Sequence, residues 1–220
     1  METTLPTLVL RELGEAVPYE ATWQAMRQFT AQRDANTPDE IWLLQHPAVY
    51  TLGQAGKREH LLCETTIPVI PIDRGGQITY HGPGQVILYP LLDLRRWGLN
   101  VRQLVRLLEN SVIACLAQYG LSAQGDVNAP GVYVAGAKIA ALGLRVRQGC
   151  CYHGLSLNVA MDLRPFQAIN PCGYAGMAVT QLRDLGVNAP PAQVGQCLAA
   201  IFRTQLYAAV LDLKKVTVTS

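Results

Sequence analysis

Charge is in short supply in this 220-residue sequence: only 15% of its residues are charged, and 18 basic against 16 acidic side chains leave a formal net charge of +2. So small a balance makes no case for a nucleic-acid partner, although it leaves room for a local basic face that meets an acidic one. No apolar run approaches the roughly 18 residues that a membrane-spanning helix needs. The first ten residues lack the basic flank and apolar stretch of a secretion signal, so a cytoplasmic location is expected. No Ser/Gly/Pro-rich linker, repeat or low-complexity segment divides the chain, which reads as one domain over residues 1–220. Half of the residues are apolar, enough for a sizeable core.

The six cysteines, Cys63, Cys115, Cys150, Cys151, Cys172 and Cys197, follow no framework spacing. Without a secretion signal they read as free thiols. CxxC and HxxxH pairs are missing, so no metal is expected. Phosphate loops are missing as well. Gly56-Lys57 is followed by Arg58 where a P-loop needs Ser or Thr, Thr51 stands where its first glycine belongs, and no GxGxxG opens a helix. No nucleotide or other cofactor is therefore expected.

Short strands are expected at 5–10, 41–44, 49–52, 67–72, 78–80, 86–92, 131–134, 138–146 and 152–159. In the region 138–147, Leu142, Leu144 and Val146 alternate with Gly143, Arg145 and Arg147, the pattern of a sheet with one wet face. In the last strand His153, Leu155, Leu157 and Val159 are expected on one face, with Gly154, Ser156 and Asn158 on the other. Helices are expected at 19–33, 100–119, 179–185 and 191–210. The second is the clearest, with apolar residues at three- and four-residue spacing from Val101 to Leu116, a capping pair in Asn100 and Gln103, and Gly120 to end it. Strands outnumber helices and hairpins dominate. The expected fold is therefore α+β, a two-layer arrangement of a mixed, largely antiparallel sheet with helices packed against it.

Three sets of residues are candidates for chemistry. Cys172 lies in Asn170-Pro171-Cys172-Gly173, a loop context, and a thiol there becomes a nucleophile once a nearby cation or base favours the thiolate; a buried structural thiol is the plainer alternative. Lys138 follows a tight turn and opens a strand of small and apolar residues. As an ammonium it would stabilise a thiolate, and as an amine it would accept a proton; a solvated strand-end lysine is the plainer alternative. The run from Arg74 to Gln85 sets paired glycines beside His81, so backbone N–H groups are expected to hold an anionic or carbonyl group, with His81 as a proton shuttle or donor or simply a turn residue. Cys115 and Cys197 read as helix packing residues, and Cys63, Cys150 and Cys151 suggest no role.

Residues 74–85, RGGQITYHGPGQ, resemble the signature of the lipoyl(octanoyl) transferases, the octanoyl-[acyl-carrier-protein]:protein N-octanoyltransferases. Residues 136–143 (GAKIAALG), 153–159 (HGLSLNV) and 170–173 (NPCG) resemble the same family in the same order. The resemblance implies the fold of the biotin and lipoate protein ligases, with Cys172 as the acyl-thioester nucleophile and Lys138 lowering its pKa. It also implies a substrate pocket lined by Arg74, Gly75, Gly76, Gln77, Ile78, Thr79, Tyr80, His81, Ala141, Leu142, Gly143, Gly154, Leu155 and Ser156. The implied donor is octanoyl-acyl-carrier protein, and the implied acceptors are lipoyl domains of 2-oxoacid dehydrogenase subunits and the glycine cleavage H protein. Such a transfer needs no nucleotide, since one thioester is exchanged for another before the amide forms. The seven CH2/CH3 units of an eight-carbon chain offer about 5–6 kcal/mol of burial at ~0.8 kcal/mol each. An ATP-dependent lipoate or biotin protein ligase is the alternative, followed by a non-catalytic lipoyl-domain binder and a cysteine hydrolase with His81 or His153 as base.

Overall fold

The computed structural model describes residues 5–127, 129–170 and 176–218, with side chains as far as residue 211. Two strands in the chain's first 44 residues, β1 (Leu8–Gly14) and β2 (Asp39–Leu44), run parallel because the helix α1 (Tyr19–Gln32) crosses between them. The remaining pairings of this sheet are antiparallel. β2 is followed by β6 (Gln85–Leu91), β10 (Cys150–Asn158), β9 (Ala137–Arg147), β8 (Gly131–Val134) and β7 (Gln124–Gly125). A smaller sheet sets β3 (Val49–Leu52) between β4 (Val69–Pro71) and β5 (Ile78–His81). The α+β reading holds, with a mixed sheet that is mostly antiparallel.

Strand alternation gives the large sheet two buried faces. Ile41, Leu43, Leu88, Leu155 and Leu157 point to one side. There α3 (Val101–Ala117) and α4 (Pro191–Val218) cover them with Leu104, Leu108, Val112, Leu198, Phe202 and Leu206. Each such side chain contributes about 1.5–3 kcal/mol by leaving water. Trp42, Leu44, Ile87 and Tyr89 point to the other side, where Met26 of α1 meets them. By length and composition, residues Pro191–Leu211 of α4 would suffice to cross a membrane, but the helix lays Val194, Leu198, Phe202 and Leu206 into this core.

The capping box at the start of α3 forms as read: Asn100 accepts from the Gln103 N–H at 2.9 Å, and Gln103 accepts from the Asn100 N–H at 2.8 Å. Other expectations need correction. The first strand occupies Leu8–Gly14 rather than 5–10, because its partner β2 begins opposite Leu8. The strand expected at 67–72 is confined to Val69–Pro71. The expected helix at 179–185 does not form. Val179 bridges Lys138, and the Leu182 and Arg183 N–H groups bond to the carbonyls of Asn158 and Val159, so the donors a helix would use are taken by the end of β10. Only a single turn, Arg183–Leu185, remains helical. A four-residue helix, α2 (Leu94–Trp97), was not signalled by any periodicity.

Candidate active site

The small sheet stacks over one stretch of the large one, and a slot opens between them. Its walls are Arg74, Gly76, Gln77, Ile78, Thr79 and His81 from the run leading into β5, Ala141, Leu142 and Gly143 from β9, and Gly154, Leu155 and Ser156 from β10. Of the pocket residues implied by the sequence, only Gly75 and Tyr80 stand apart. Gly75 gives its N–H to the Leu144 carbonyl at 2.9 Å, and Tyr80 faces a separate groove lined by Phe166 and Met161. Tyr19, Tyr89 and His153 complete the slot. Tyr19 and Tyr89 carry no sequence signal for this role, since α1 and β6 reach the slot only through tertiary packing.

Two glycines permit close backbone approach, Gly143 beneath the Arg74 loop and Gly154 within the large sheet. A Cβ on Gly143 would lie 2.9 Å from Arg74 Cδ and 3.3 Å from the Gly75 carbonyl, so the wet face expected for β9 is here covered by the Arg74 loop. A Cβ on Gly154 would lie 2.2 Å from the Leu88 carbonyl oxygen. Arg74 is not a surface charge. It is buried, and it donates to the Thr51 carbonyl and hydroxyl at 2.7 and 2.9 Å and to the Gly75 carbonyl at 2.9 Å, tying the loop to β3. The Gly75 N–H, expected to hold a ligand, instead pins this loop to β9.

Three of the four histidines, His46, His81 and His153, are buried behind and along the slot. Burial holds all three below the usual imidazole range, His46 at about 4 and His81 at about 3. His46 gives its Nδ1–H to the Val17 carbonyl at 2.7 Å, so its Nε2 accepts from the Tyr89 hydroxyl at 2.9 Å. His153 does not share the core face of Leu155 as expected. Its positive φ of 59° turns the ring to the opposite side, where its Nε2 meets Asp73 Oδ1 at 3.1 Å and its ring packs against Tyr89. Asp73 also accepts from Tyr152 and, at 2.7 Å, from Trp23. Burial pushes the Asp73 carboxyl up, but the hydrogen bonds from His153, Tyr152 and Trp23 outweigh it and hold the group well below the usual carboxylate range.

Lys138 is only 4% exposed, so the solvated alternative fails. Its side chain enters a small recess with Ala140, Asn158, Phe166 and Val179, which shares Thr79, Ala141 and Ser156 with the slot. The Nζ lies 3.4 Å from the Pro130 carbonyl and 5.2 Å from the centre of the Tyr133 ring. Gly131 leaves space for the lysine stem, since a Cβ there would stand 3.0 Å from Lys138 Cε. Glu109, which the sequence did not single out, accepts from the Gly131 N–H at 3.1 Å. Burial raises the Glu109 carboxyl, and the field of Lys138 acts in the opposite sense.

Cys172 lies outside the described residues. The chain on both sides of its segment is fixed. Asn170 donates its N–H to His60 at 2.9 Å, and Lys138 bonds through its own backbone to Ala178 and Thr180 at 2.8 and 2.9 Å. The other cysteines are free thiols, with Cys115, Cys150 and Cys151 buried, and burial raises the pKa of each of these three. Among the described residues, no cluster of three or more His, Cys, Asp or Glu side chains is placed to hold a metal ion.

The mixed sheet backed by two helices has counterparts among solved protein ligases. A putative lipoate protein ligase from T. acidophilum superposes with a TM-score of 0.73 at 17% identity, covering 92% of this chain and 86% of that one. Biotin protein ligase from Aquifex aeolicus superposes with a TM-score of 0.55 at 13% identity, covering 92% and 70%. At such identities the likeness is one of fold. Sequence takes it further: residues 18–203 match the family of the lipoyl protein ligase A/B catalytic domain. The octanoyltransferase of Thiobacillus denitrificans is 63% identical over 202 residues, 92% of each chain, and that of Nitrosomonas europaea is 60% identical over 200 residues, 91% of this chain and 98% of that one. The chain belongs to the lipoyl protein ligase A/B catalytic-domain family, within its octanoyltransferases.

Proposed function

We propose that this octanoyltransferase takes an octanoyl group from octanoyl-acyl-carrier protein onto Cys172 and passes it to a lysine of lipoyl domains. The acceptors are the lipoyl domains of 2-oxoacid dehydrogenase subunits and the glycine cleavage H protein, in the cytoplasm and as part of lipoate biosynthesis. In the first displacement the Cys172 thiolate attacks the donor carbonyl carbon, and the carrier sulfur leaves as a thiol with the proton that the Lys138 ammonium gives up. In the second, the acceptor amine attacks the Cys172 thioester, the thiolate departs, and Lys138 in its neutral form takes the amine's proton. Neither displacement consumes a nucleotide, because the amide is lower in free energy than the thioester it replaces.

The observation that carries this reading is the pairing of Lys138, through its own N–H and carbonyl, with Ala178 and Thr180. These lie six and eight positions after Cys172 in the sequence. The stretch that resumes after the segment of Cys172 is thus paired with the lysine that would activate it. The recess of Lys138 in turn opens on the slot that suits an alkyl chain.

The test is transfer of octanoyl from carrier protein to a purified lipoyl domain with nucleotide removed by apyrase. The wild type is expected to acylate the domain and Cys172→Ser to fail. A strict requirement for ATP would establish the ligase alternative, and a Cys172→Ser variant at the wild-type rate would remove the thiol from the mechanism.

A further inference from the structure

His81 stands at the slot with its hydrogen-bonding state fixed by its surroundings. Two backbone carbonyls set the direction of a short relay, since a carbonyl can only accept. Thr180 O accepts from Asn158 Nδ2 at 3.0 Å, which turns Asn158 Oδ1 towards Gln85. Gln85 must then present its amide nitrogen, donating to Asn158 Oδ1 at 2.9 Å and to Tyr80 O at 3.3 Å. Its oxygen is left facing His81 Nδ1 at 2.8 Å, so Nδ1 carries the proton and Nε2 is a bare lone pair. Nothing among the described residues bonds to Nε2.

The position of this acceptor along the slot matters. The slot meets the Lys138 recess at Thr79, and His81 is two residues further along the same strand, about 7 Å away. A residue's three main-chain bonds advance about 3.3 Å, so the seven carbon–carbon bonds of an extended eight-carbon acyl chain reach about 8 Å. A chain entering past Thr79 therefore ends in front of the imidazole, in the company of Tyr19, which stacks on His81.

We propose that His81 is a specificity-determining residue that reads the far end of the acyl chain, as a tautomer-locked acceptor. This rests on the acyl transfer proposed above. An eight-carbon chain ends short of Nε2 and leaves it to a water. A longer chain presses its methyl group against a buried acceptor and strips that water away, whereas a chain of the same length ending in a hydroxyl donates to Nε2 and is accepted.

The experiment compares 9-hydroxynonanoyl- and decanoyl-pantetheine, which have equal numbers of heavy atoms, as donors to the full chain, with octanoyl-pantetheine as control. In the wild type the hydroxy donor is expected to match or exceed decanoyl in kcat/KM, and in His81→Phe that ratio is expected to fall at least about tenfold. The same ratio in both proteins would overturn the proposal. If His81→Phe does not fold, the ring ¹⁵N shifts of the wild type decide: a protonated Nδ1 and a bare Nε2 on His81 are expected, and protonation at Nε2 would overturn it. Absence of octanoyl transfer in the wild type would instead bring down the acyl-transfer reading, which the control keeps distinguishable.

Discussion

Strand β10 has two faces with opposite occupations, and the contrast separates what holds this protein together from what it works with. Leu155 and Leu157 enter an apolar layer with α3 and α4. Gly154 and Ser156 line a slot whose surroundings include buried imidazoles, an arginine and a carboxylate. On the first face any side chain of similar volume and polarity serves, because the stabilisation follows buried area. On the second face each polar group depends on a particular neighbour: Arg74 on Thr51, His81 on Gln85, and Asp73 on His153, Tyr152 and Trp23. Substitutions on the two sides should therefore separate activity from stability.

The largest expected effect falls on the slot side. Lys138→Ala should lower kcat for octanoyl transfer by about 10²–10⁴, the range for loss of a positioned acid–base group, with only a modest change in Tm. A variant that transfers at the wild-type rate would take the lysine out of the chemistry. On the core side, Leu108→Ala should cost about 2–5 kcal/mol in urea denaturation, while kcat per folded molecule stays unchanged. A large fall in kcat there would mean that the two faces are not independent.

A third effect is a pH dependence to which the buried histidines of the slot side contribute. Unfolded histidines titrate near 6.5, whereas burial holds His46 at about 4 and His81 at about 3. Between roughly pH 6.5 and 4 the unfolded chain binds protons that the folded chain refuses, so stability falls as pH falls. The slope approaches at most about 1.4 kcal/mol per pH unit for each histidine. Urea midpoints at pH 7.5, 6 and 5 should show the decline, with Leu108→Ala following the same slope from a lower start. A midpoint that does not move between pH 7.5 and 5 would contradict the buried neutral imidazoles.

Local signals made the core face legible. The apolar spacing from Val101 to Leu116 and its capping pair gave α3, and alternation in 152–159 gave β10. The slot segments were visible as glycine-rich runs resembling those of a family, but their convergence was not, because the distance from 74–81 to 141–143 and 154–156 closes only in the tertiary fold. Tyr19 and Tyr89 arrive from α1 and β6 without any pattern that distinguishes them from core aromatics. His153 was assigned to the wrong face because strict alternation cannot foresee a positive φ at a non-glycine residue. The 179–185 segment was misread for a related reason: its composition suits a helix, but its N–H groups meet open carbonyls at the end of β10.

The account turns on a covalent acyl group held by one sulfur. Incubating the full chain with octanoyl-acyl-carrier protein, without any acceptor domain, and recording the intact mass asks for that species directly. The account predicts a gain of one octanoyl group in the wild type and none in Cys172→Ser. An unmodified wild type that nonetheless goes on to acylate a lipoyl domain would contradict it.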